Sequence, residues 1–169
     1  MVQRYANLGG NSAVERFETG GDADAHTDAD ADCLFCAIVA GSIPASIVHE
    51  DTRTMSFVDL RQFHPGHVLV IPRHHVADIR GVDDETAAAL MLATARVARA
   101  VDAVFPSEGL SVWHSAGEGA GQEVPHLHFH VHPRRSGDDV LRVYPSSPDG
   151  PPRPVLDGYA ERLRASLAG

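Results

Sequence analysis

The sequence has little basic charge and no long apolar run. Its 169 residues carry 14 Lys and Arg against 23 Asp and Glu, a formal net charge of -9 at pH 7. Affinity for a phosphate backbone requires clustered basic side chains, so we expect no nucleic-acid partner. No stretch approaches the ~20 apolar residues of a membrane span, and the N-terminus lacks the apolar run of a signal peptide. We therefore expect a cytoplasmic protein with no membrane partner.

Cysteine is equally scarce, because only Cys33 and Cys36 are present, in a C-x-x-C spacing. In a chain without a secretion signal, such a pair is more often half of a metal site or a redox pair than a structural disulfide. A redox pair is expected at the strand-to-helix turn of a βαβ unit. Here the pair precedes a short apolar segment at the start of the predicted domain, so the redox interpretation has little support.

Three regions are predicted along the chain. Residues 1–31 form a disordered acidic tail, because they include few large apolar side chains and cannot offset the entropy of ordering. Residues 32–136 form the domain. Residues 137–169 contain a Pro-rich segment and a short amphipathic C-terminal helix at about 156–168.

The domain is predicted to be α+β, with a mostly antiparallel sheet of about five strands and one long helix packed on it. The helix is predicted from Asp84 to about Phe105, because Leu90, Val97 and Val101 recur at helical spacing after an N-cap candidate. Strands are predicted at 47–51, 54–59, 67–71 and 110–115, and a last strand at the histidine run described next.

Four histidines alternate with apolar residues near the end of the domain, at positions 126, 128, 130 and 132. A period of two is that of a β-strand, so a strand here would place all four imidazoles on one face. Four buried histidines in series would each need hydrogen-bond partners, which favours a functional face. Two chemistries fit: a metal site, or attack by a neutral imidazole on an electrophile such as phosphorus.

Several motifs identify a family resemblance. The stretch Gly121-Gln-Glu-Val-Pro-His-Leu-His-Phe-His130 resembles the signature of the histidine triad (HIT) superfamily. Three further stretches match the family in the same order: Cys33-Leu-Phe-Cys-Ala-Ile-Val-Ala-Gly-Ser-Ile-Pro44, Phe57-Val-Asp-Leu60 and Pro65-Gly-His-Val-Leu-Val-Ile-Pro-Arg-His-His75. The chain is most similar to the zinc-containing bacterial relatives of the Hint branch, which implies a HIT-like fold.

The resemblance implies a role for each matching residue. His128 matches the nucleophile that attacks the α-phosphate and forms a nucleotidyl-histidine intermediate, and His130 and His67 match two other histidines of the catalytic site. Gln122 matches a residue that hydrogen-bonds the phosphate or the leaving group. The implied substrate-binding residues are Asp59, which would accept from the ribose hydroxyls, with Leu60, Ser115 and Gln122.

A structural zinc site is also implied. Its matching ligands are Cys33, Cys36, His75 and His126, and two thiolates with two imidazoles form the closed tetrahedral shell of structural zinc. His74 is adjacent to His75, so the ligand assignment is open by one position, and the family register favours His75.

The resemblance implies an enzyme, a nucleotide hydrolase or transferase that cleaves a purine nucleoside monophosphate from a phosphoramidate-like leaving group. The alternatives are a dinucleoside polyphosphate hydrolase or phosphorylase, a zinc-stabilised nucleotide-binding module with little turnover and, last, a zinc hydrolase. A homodimer is also implied, and we expect the C-terminal segment to cover part of the site or the dimer surface. Three residues depart from the family pattern: Ser115 replaces a common Asn, Glu123 a common Ser or Thr, and His132 a usual aliphatic residue.

Overall fold

The computed structural model describes residues 32–140 and 150–168. The predicted acidic tail and part of the Pro-rich segment, residues 141–149, lie outside these ranges. Among the described residues, no helix is long and apolar enough to cross a membrane.

The elements form a five-stranded antiparallel sheet with a long helix, as predicted. The strand order is β1-β2-β3-β5-β4. In chain order the elements are α1 (Leu34–Val39), β1 (Ile47–Glu50), β2 (Thr54–Val58), β3 (Val68–Pro72), α2 (Asp84–Val104), β4 (Gly109–Trp113), a short 3-10 helix (Glu118–Ala120), β5 (Phe129–Arg134) and α3 (Arg153–Leu167).

The long helix α2 begins at a side-chain cap and covers one face of the sheet. The carboxylate of Asp83 accepts a hydrogen bond from the Thr86 N–H at 2.8 Å, which satisfies one of the free donors of the first turn. The buried stripe of α2 packs against strand residues in one hydrophobic cluster, whose buried members are Val68, Val70, Leu90, Ala93, Val97, Val101, Leu127 and Val131.

The opposite face of the sheet packs against α1 and is the face on which the candidate site is built. A second cluster fills it, with Cys33, Phe35, Ile38, Met55, Phe57, Leu69 and Ile71 as its buried members. Side chains alternate between the faces of a strand. Because Val131 points toward α2, His130 and His132 point to the α1 face.

The histidine strand is shorter than predicted. β5 begins at Phe129, so His126 and His128 lie in the segment that precedes it. The backbone of that segment bonds to a loop instead of a neighbouring strand. The Leu127 N–H donates to the carbonyl of Val76, which lies in the loop after β3, at 2.7 Å.

The C-terminal helix α3 begins at Arg153, a few residues earlier than predicted, and none of its described residues is buried. Its predicted apolar face, with Leu156, Tyr159, Leu163 and Leu167, is exposed. The expectation that this segment covers the site or a dimer surface stays a prediction.

Candidate functional site

Four potential metal ligands meet at the start of α1. The donor atoms of Cys33, Cys36, His75 and His126 all lie within 4.8 Å of one another. His126 Nδ1 is 3.4 Å from Cys33 Sγ and 3.5 Å from Cys36 Sγ, and His75 Nδ1 is 3.3 Å from Cys36 Sγ. Tetrahedral zinc with Zn–S of ~2.3 Å and Zn–N of ~2.0 Å requires S···N separations of about 3.5 Å. The predicted ligands therefore form a cluster of suitable size for a tetrahedral metal ion.

Local structure explains why these four donors converge. Cys33 is the N-cap of α1 and Cys36 lies in its first turn, so the C-x-x-C spacing places both thiols at one helix end. His126 Nε2–H donates to the Pro72 carbonyl at 2.9 Å, which leaves Nδ1 as the metal-facing nitrogen. Burial lowers the pKa of His126 to about 4, so the imidazole is in the neutral form that binds metals.

His75, not His74, belongs to this cluster. His74 points away toward Asp83, with 4.0 Å between its Nε2 and the nearest carboxylate oxygen, and its side chain is half exposed. Of the two adjacent histidines, His75 is the one whose ring nitrogen lies among the other three potential ligands.

His128 is buried with one ring nitrogen fixed as a donor. Its Nδ1 lies 2.6 Å from the His126 carbonyl, which can only accept, so Nδ1 carries the proton and Nε2 the lone pair. Burial lowers the pKa of His128, although the carboxylates of Asp59 and Glu123 oppose this shift. The result is a neutral imidazole with an available lone pair, the state required of a nucleophile.

His130 and His67 form a hydrogen-bonded pair beside His128. His67 Nδ1 donates to the Arg61 carbonyl at 2.9 Å, and His67 Nε2 lies 2.9 Å from His130 Nδ1. The rings of His128 and His130 have centroids 5.0 Å apart. Burial, followed by the nearby His128, lowers the pKa of His130 to about 3. The predicted catalytic histidines are therefore brought together as one connected group.

The loop after β2 completes this group on one side. Asp59 is buried, and its Oδ1 accepts from the Arg61 N–H at 2.7 Å, while Oδ2 is 3.6 Å from His67 Nδ1. Leu60, the next residue, is 79% exposed, so its side chain offers an uncovered apolar surface next to that carboxylate. The two predicted nucleoside-binding side chains thus stand side by side at the edge of the histidine group.

The glycine-rich loop between β4 and β5 lies on the other side and is held by Gln122. Gln122 Oε1 accepts from the Gly117 N–H at 2.7 Å, and its Nε2 donates to the carbonyls of Ala77 at 2.6 Å and Val124 at 3.1 Å. The amide therefore organises the loop in this structure. Ser115, half-buried, lies two residues after the end of β4, at the start of this loop.

Two aromatic residues at the site were not predicted from the sequence. Trp113 on β4 is in register with His130 on β5, and the two rings stack with centroids 4.4 Å apart at an interplanar angle of 6°. Phe35 on α1 contacts the His128 ring edge-on, with centroids 5.3 Å apart. No local signal marks Trp113, because its partner is set by strand register. Phe35 could have been found, since it lies between the two cysteines.

His132, left without a role by the resemblance, is buried beside the site. It is 1% exposed and its ring meets the His67 ring edge-on, with centroids 4.7 Å apart. Among the described residues, neither of its ring nitrogens has a hydrogen-bond partner. Burial and the neighbouring His67 lower the pKa of His132, and the Pro133 carbonyl, which is close to the ring but outside hydrogen-bonding geometry, opposes the shift.

Comparison with known proteins gives concordant matches. Residues 40–137 match the HIT domain family. The chain is 40% identical over 137 residues to Protein hit of Bacillus subtilis, covering 80% of this chain and 94% of that protein. It is 34% identical over 121 residues to an adenosine 5'-monophosphoramidase of Schizosaccharomyces pombe, covering 69% and 88%. A crystal structure of a HIT family member from Bacillus subtilis superposes with a TM-score of 0.77 at 34% identity, covering 82% of this chain and 99% of that one.

Proposed function

We propose, because the chain belongs to the HIT domain family, that it is a nucleotide hydrolase or transferase acting at an α-phosphate. Its substrate would be a purine nucleoside monophosphate joined to a leaving group through a phosphoramidate-like bond. The observation that carries this proposal is the fixed proton on His128 Nδ1, which leaves the Nε2 lone pair available beside the His130–His67 pair. The similarity to an adenosine 5'-monophosphoramidase supports the substrate class.

Catalysis would proceed in two displacements at phosphorus. In the first, the Nε2 lone pair of His128 forms an N–P bond while the bond from phosphorus to the leaving group breaks, its electron pair going to the leaving atom. In the second, a water oxygen attacks the nucleotidyl-histidine, the N–P bond breaks back to Nε2, and the water releases a proton to solvent. The first step requires neutral His128, which burial favours, and the second step regenerates that neutral imidazole.

The His130–His67 pair would manage one proton. Because His67 Nδ1 donates to the Arg61 carbonyl, its Nε2 accepts from His130 Nδ1 when both rings are neutral, and His130 Nε2 then carries a lone pair. A lone pair cannot donate to a phosphate oxygen. Phosphate binding would therefore add one proton to this pair, after which His130 Nε2–H donates to the phosphate and stabilises its charge.

The flanking loops would hold the rest of the substrate. The Asp59 carboxylate is suited to accept from ribose hydroxyls, a charge-assisted hydrogen bond, and the exposed Leu60 side chain is suited to contact a purine. The loop from Ser115 to Gln122 would present backbone N–H groups to the phosphate. Gln122 would act by holding this loop, since its amide already bonds Gly117, Ala77 and Val124.

Zinc is the metal we propose for the Cys33, Cys36, His75 and His126 cluster, since two sulfurs and two imidazole nitrogens are its preferred tetrahedral donors. The four protein ligands would complete the coordination shell, so the ion would be structural. The ion would tie α1 to the segment before β5. It would thereby fix His126, two residues before His128, and so hold His128 in position.

The test is turnover of adenosine 5'-phosphoramidate by wild type, His128→Ala and the matched control His74→Ala, which removes an exposed histidine outside the site. We expect loss of at least about a thousandfold in kcat for His128→Ala, in line with removal of a nucleophile, and no change for the control. Equal rates for wild type and His128→Ala would contradict the nucleophile assignment.

Two assays on the same purified protein distinguish the alternative functions. Faster turnover of diadenosine polyphosphates than of phosphoramidates would favour a polyphosphate hydrolase. Tight AMP binding without product in a single turnover would favour a binding module.

We also propose that the protein is a homodimer. Exposed apolar side chains on the outer surface of α2, with Met91, Leu92 and Val104, and Val112 on the edge strand β4 support an interface there. Sedimentation of wild type and Leu92→Asp tests it, and a wild-type monomer at micromolar concentration would contradict it.

A further inference from the structure

A surface ion pair joins the two loops that flank the catalytic histidines. Arg61, in the loop after β2, makes a two-point contact with Glu123, which follows the glycine-rich loop. Arg61 Nη1 is 3.0 Å from Glu123 Oε1, and Nη2 is 2.9 Å from Oε2. This fork-to-fork geometry is the most specific form of an Arg–carboxylate contact. The two residues are 62 positions apart, so the pair bridges the site instead of stabilising one element.

The backbone of Arg61 places this pair at the histidines. Its N–H donates to Asp59 and its carbonyl accepts from His67 Nδ1, so both sides of the residue are held by site residues. Glu123 directly follows Gln122. The electrostatic effects agree with this position, because the Glu123 carboxylate raises the pKa of His128 and the Arg61 guanidinium lowers that of His130.

A second acidic residue lines the same cleft as Glu123. This cleft has a volume of about 360 Å³ and is lined by Asp32, Cys33, Leu34, Glu123, Val124 and Pro125. Among the described residues that line the cleft, Asp32 and Glu123 are the charged ones, and Arg61 is not one of them. A leaving group that extends past Glu123 into this cleft would therefore meet negative charge and a small apolar wall.

Resting on the proposed function, we infer that the Arg61–Glu123 pair selects the leaving group by its charge. The Glu123 carboxylate, with Asp32 behind it, favours a leaving group that departs as an amine over one that departs as a phosphate. Arg61 partly cancels this preference by pairing with Glu123. The pair thus sets the balance between phosphoramidate and dinucleoside polyphosphate substrates.

The charges of the two reactions explain the selection. When a P–N bond breaks, its electron pair stays on nitrogen, which takes a proton from solvent and leaves as an amine that becomes ammonium. When a P–O–P bond breaks, the electron pair stays on oxygen, and the leaving phosphate carries one more negative charge. A carboxylate beside the leaving group stabilises the first product and repels the second.

The experiment compares kcat/KM for adenosine 5'-phosphoramidate with that for diadenosine tetraphosphate in wild type and in two variants of opposite sign. Glu123→Gln removes the negative charge that opposes Arg61, so the ratio of phosphoramidate to polyphosphate turnover should fall by about threefold to tenfold. Arg61→Gln leaves the carboxylate uncompensated, so the same ratio should rise. Glu50→Gln is the matched control, because Glu50 is an exposed acid outside the site that also pairs with an arginine, Arg73, at 2.9 Å, and its removal should leave the ratio unchanged.

The outcomes distinguish failure of this inference from failure of the proposed function. Opposite shifts for the two variants, reduced by added salt, support the inference. Wild-type turnover with a ratio unchanged in both variants, or shifted equally by Glu50→Gln, overturns the inference while the proposed function stands. No turnover of either substrate by wild type overturns the proposed function and the inference with it. Thermal melting of all variants checks that these exposed substitutions leave the fold intact.

Discussion

The buried imidazole of His132 offers a substitution that should stabilise the protein. Its ring is 1% exposed, lies edge-on to His67 and is near the rings of His64 and Trp113. Neither ring nitrogen has a hydrogen-bond partner among the described residues. Leucine is similar in volume and carries no polar atom, so His132→Leu removes two buried polar groups without leaving a large cavity.

The magnitude follows from the cost of burial. A buried donor or acceptor without a partner costs about 1–3 kcal/mol, and the edge-on contact with His67 recovers part of that cost. We therefore expect the free energy of unfolding to rise by about 1 kcal/mol. For a domain of this size, this corresponds to an increase in melting temperature of roughly 4 °C.

Thermal and urea unfolding of wild type and His132→Leu measure this change. His74→Leu is the control, because that exposed side chain should alter stability by less than about 0.5 kcal/mol. If His132→Leu instead lowered the melting temperature, the imidazole would have a buried partner, such as an ordered water, and our assignment of it as an unsatisfied group would be wrong.

Three further predictions concern the metal, the binding proton and the long helix. Purified protein should contain about one zinc per chain by mass spectrometry, and Cys36→Ser should remove it and destabilise the fold by about 3 kcal/mol or more where free zinc exceeds Kd a hundredfold; full metal content in that variant would contradict the cluster. AMP binding near pH 7 should take up about one proton, since burial holds the pKa of His130 at about 3 in the free protein and a bound phosphate raises it. Calorimetry in buffers of different ionisation enthalpy measures this uptake, and identical heats in all buffers would refute it. Asp83→Ala should lower the free energy of unfolding by about 1 kcal/mol through loss of the helix cap, whereas Asp84→Ala, one residue later, should have a smaller effect on urea unfolding.

The spacing of apolar residues in the sequence was enough to predict the long helix and the two faces of the histidine run. The stripe of Leu90, Val97 and Val101 at helical spacing predicted α2 to within one residue of its end, because each turn of an amphipathic helix repeats the same local signal. The alternation of histidines with apolar residues predicted two faces, and Leu127 and Val131 do face the long helix. Both patterns are readable from neighbouring residues alone.

Strand register and loop closure determined the rest of the site. The stacking of Trp113 on His130 depends on which residues of β4 and β5 are opposite each other. The Arg61–Glu123 pair depends on two loops that are far apart in the chain. Neither leaves a trace in local composition.

The histidine run shows where the two kinds of information divide. Its residue types and period of two already indicated a chemically active face, because neighbouring side chains of an extended segment are sorted by backbone geometry alone. The division of that face came from tertiary contacts. The Pro72 carbonyl turns His126 toward the cysteines, the His126 carbonyl fixes the proton of His128, and His67 takes His130 as its partner. Identical residues acquired different chemistry because each ring meets a different acceptor. Two of these acceptors, the Pro72 carbonyl and the His67 ring, are distant in the sequence, and only the folded chain brings them into range.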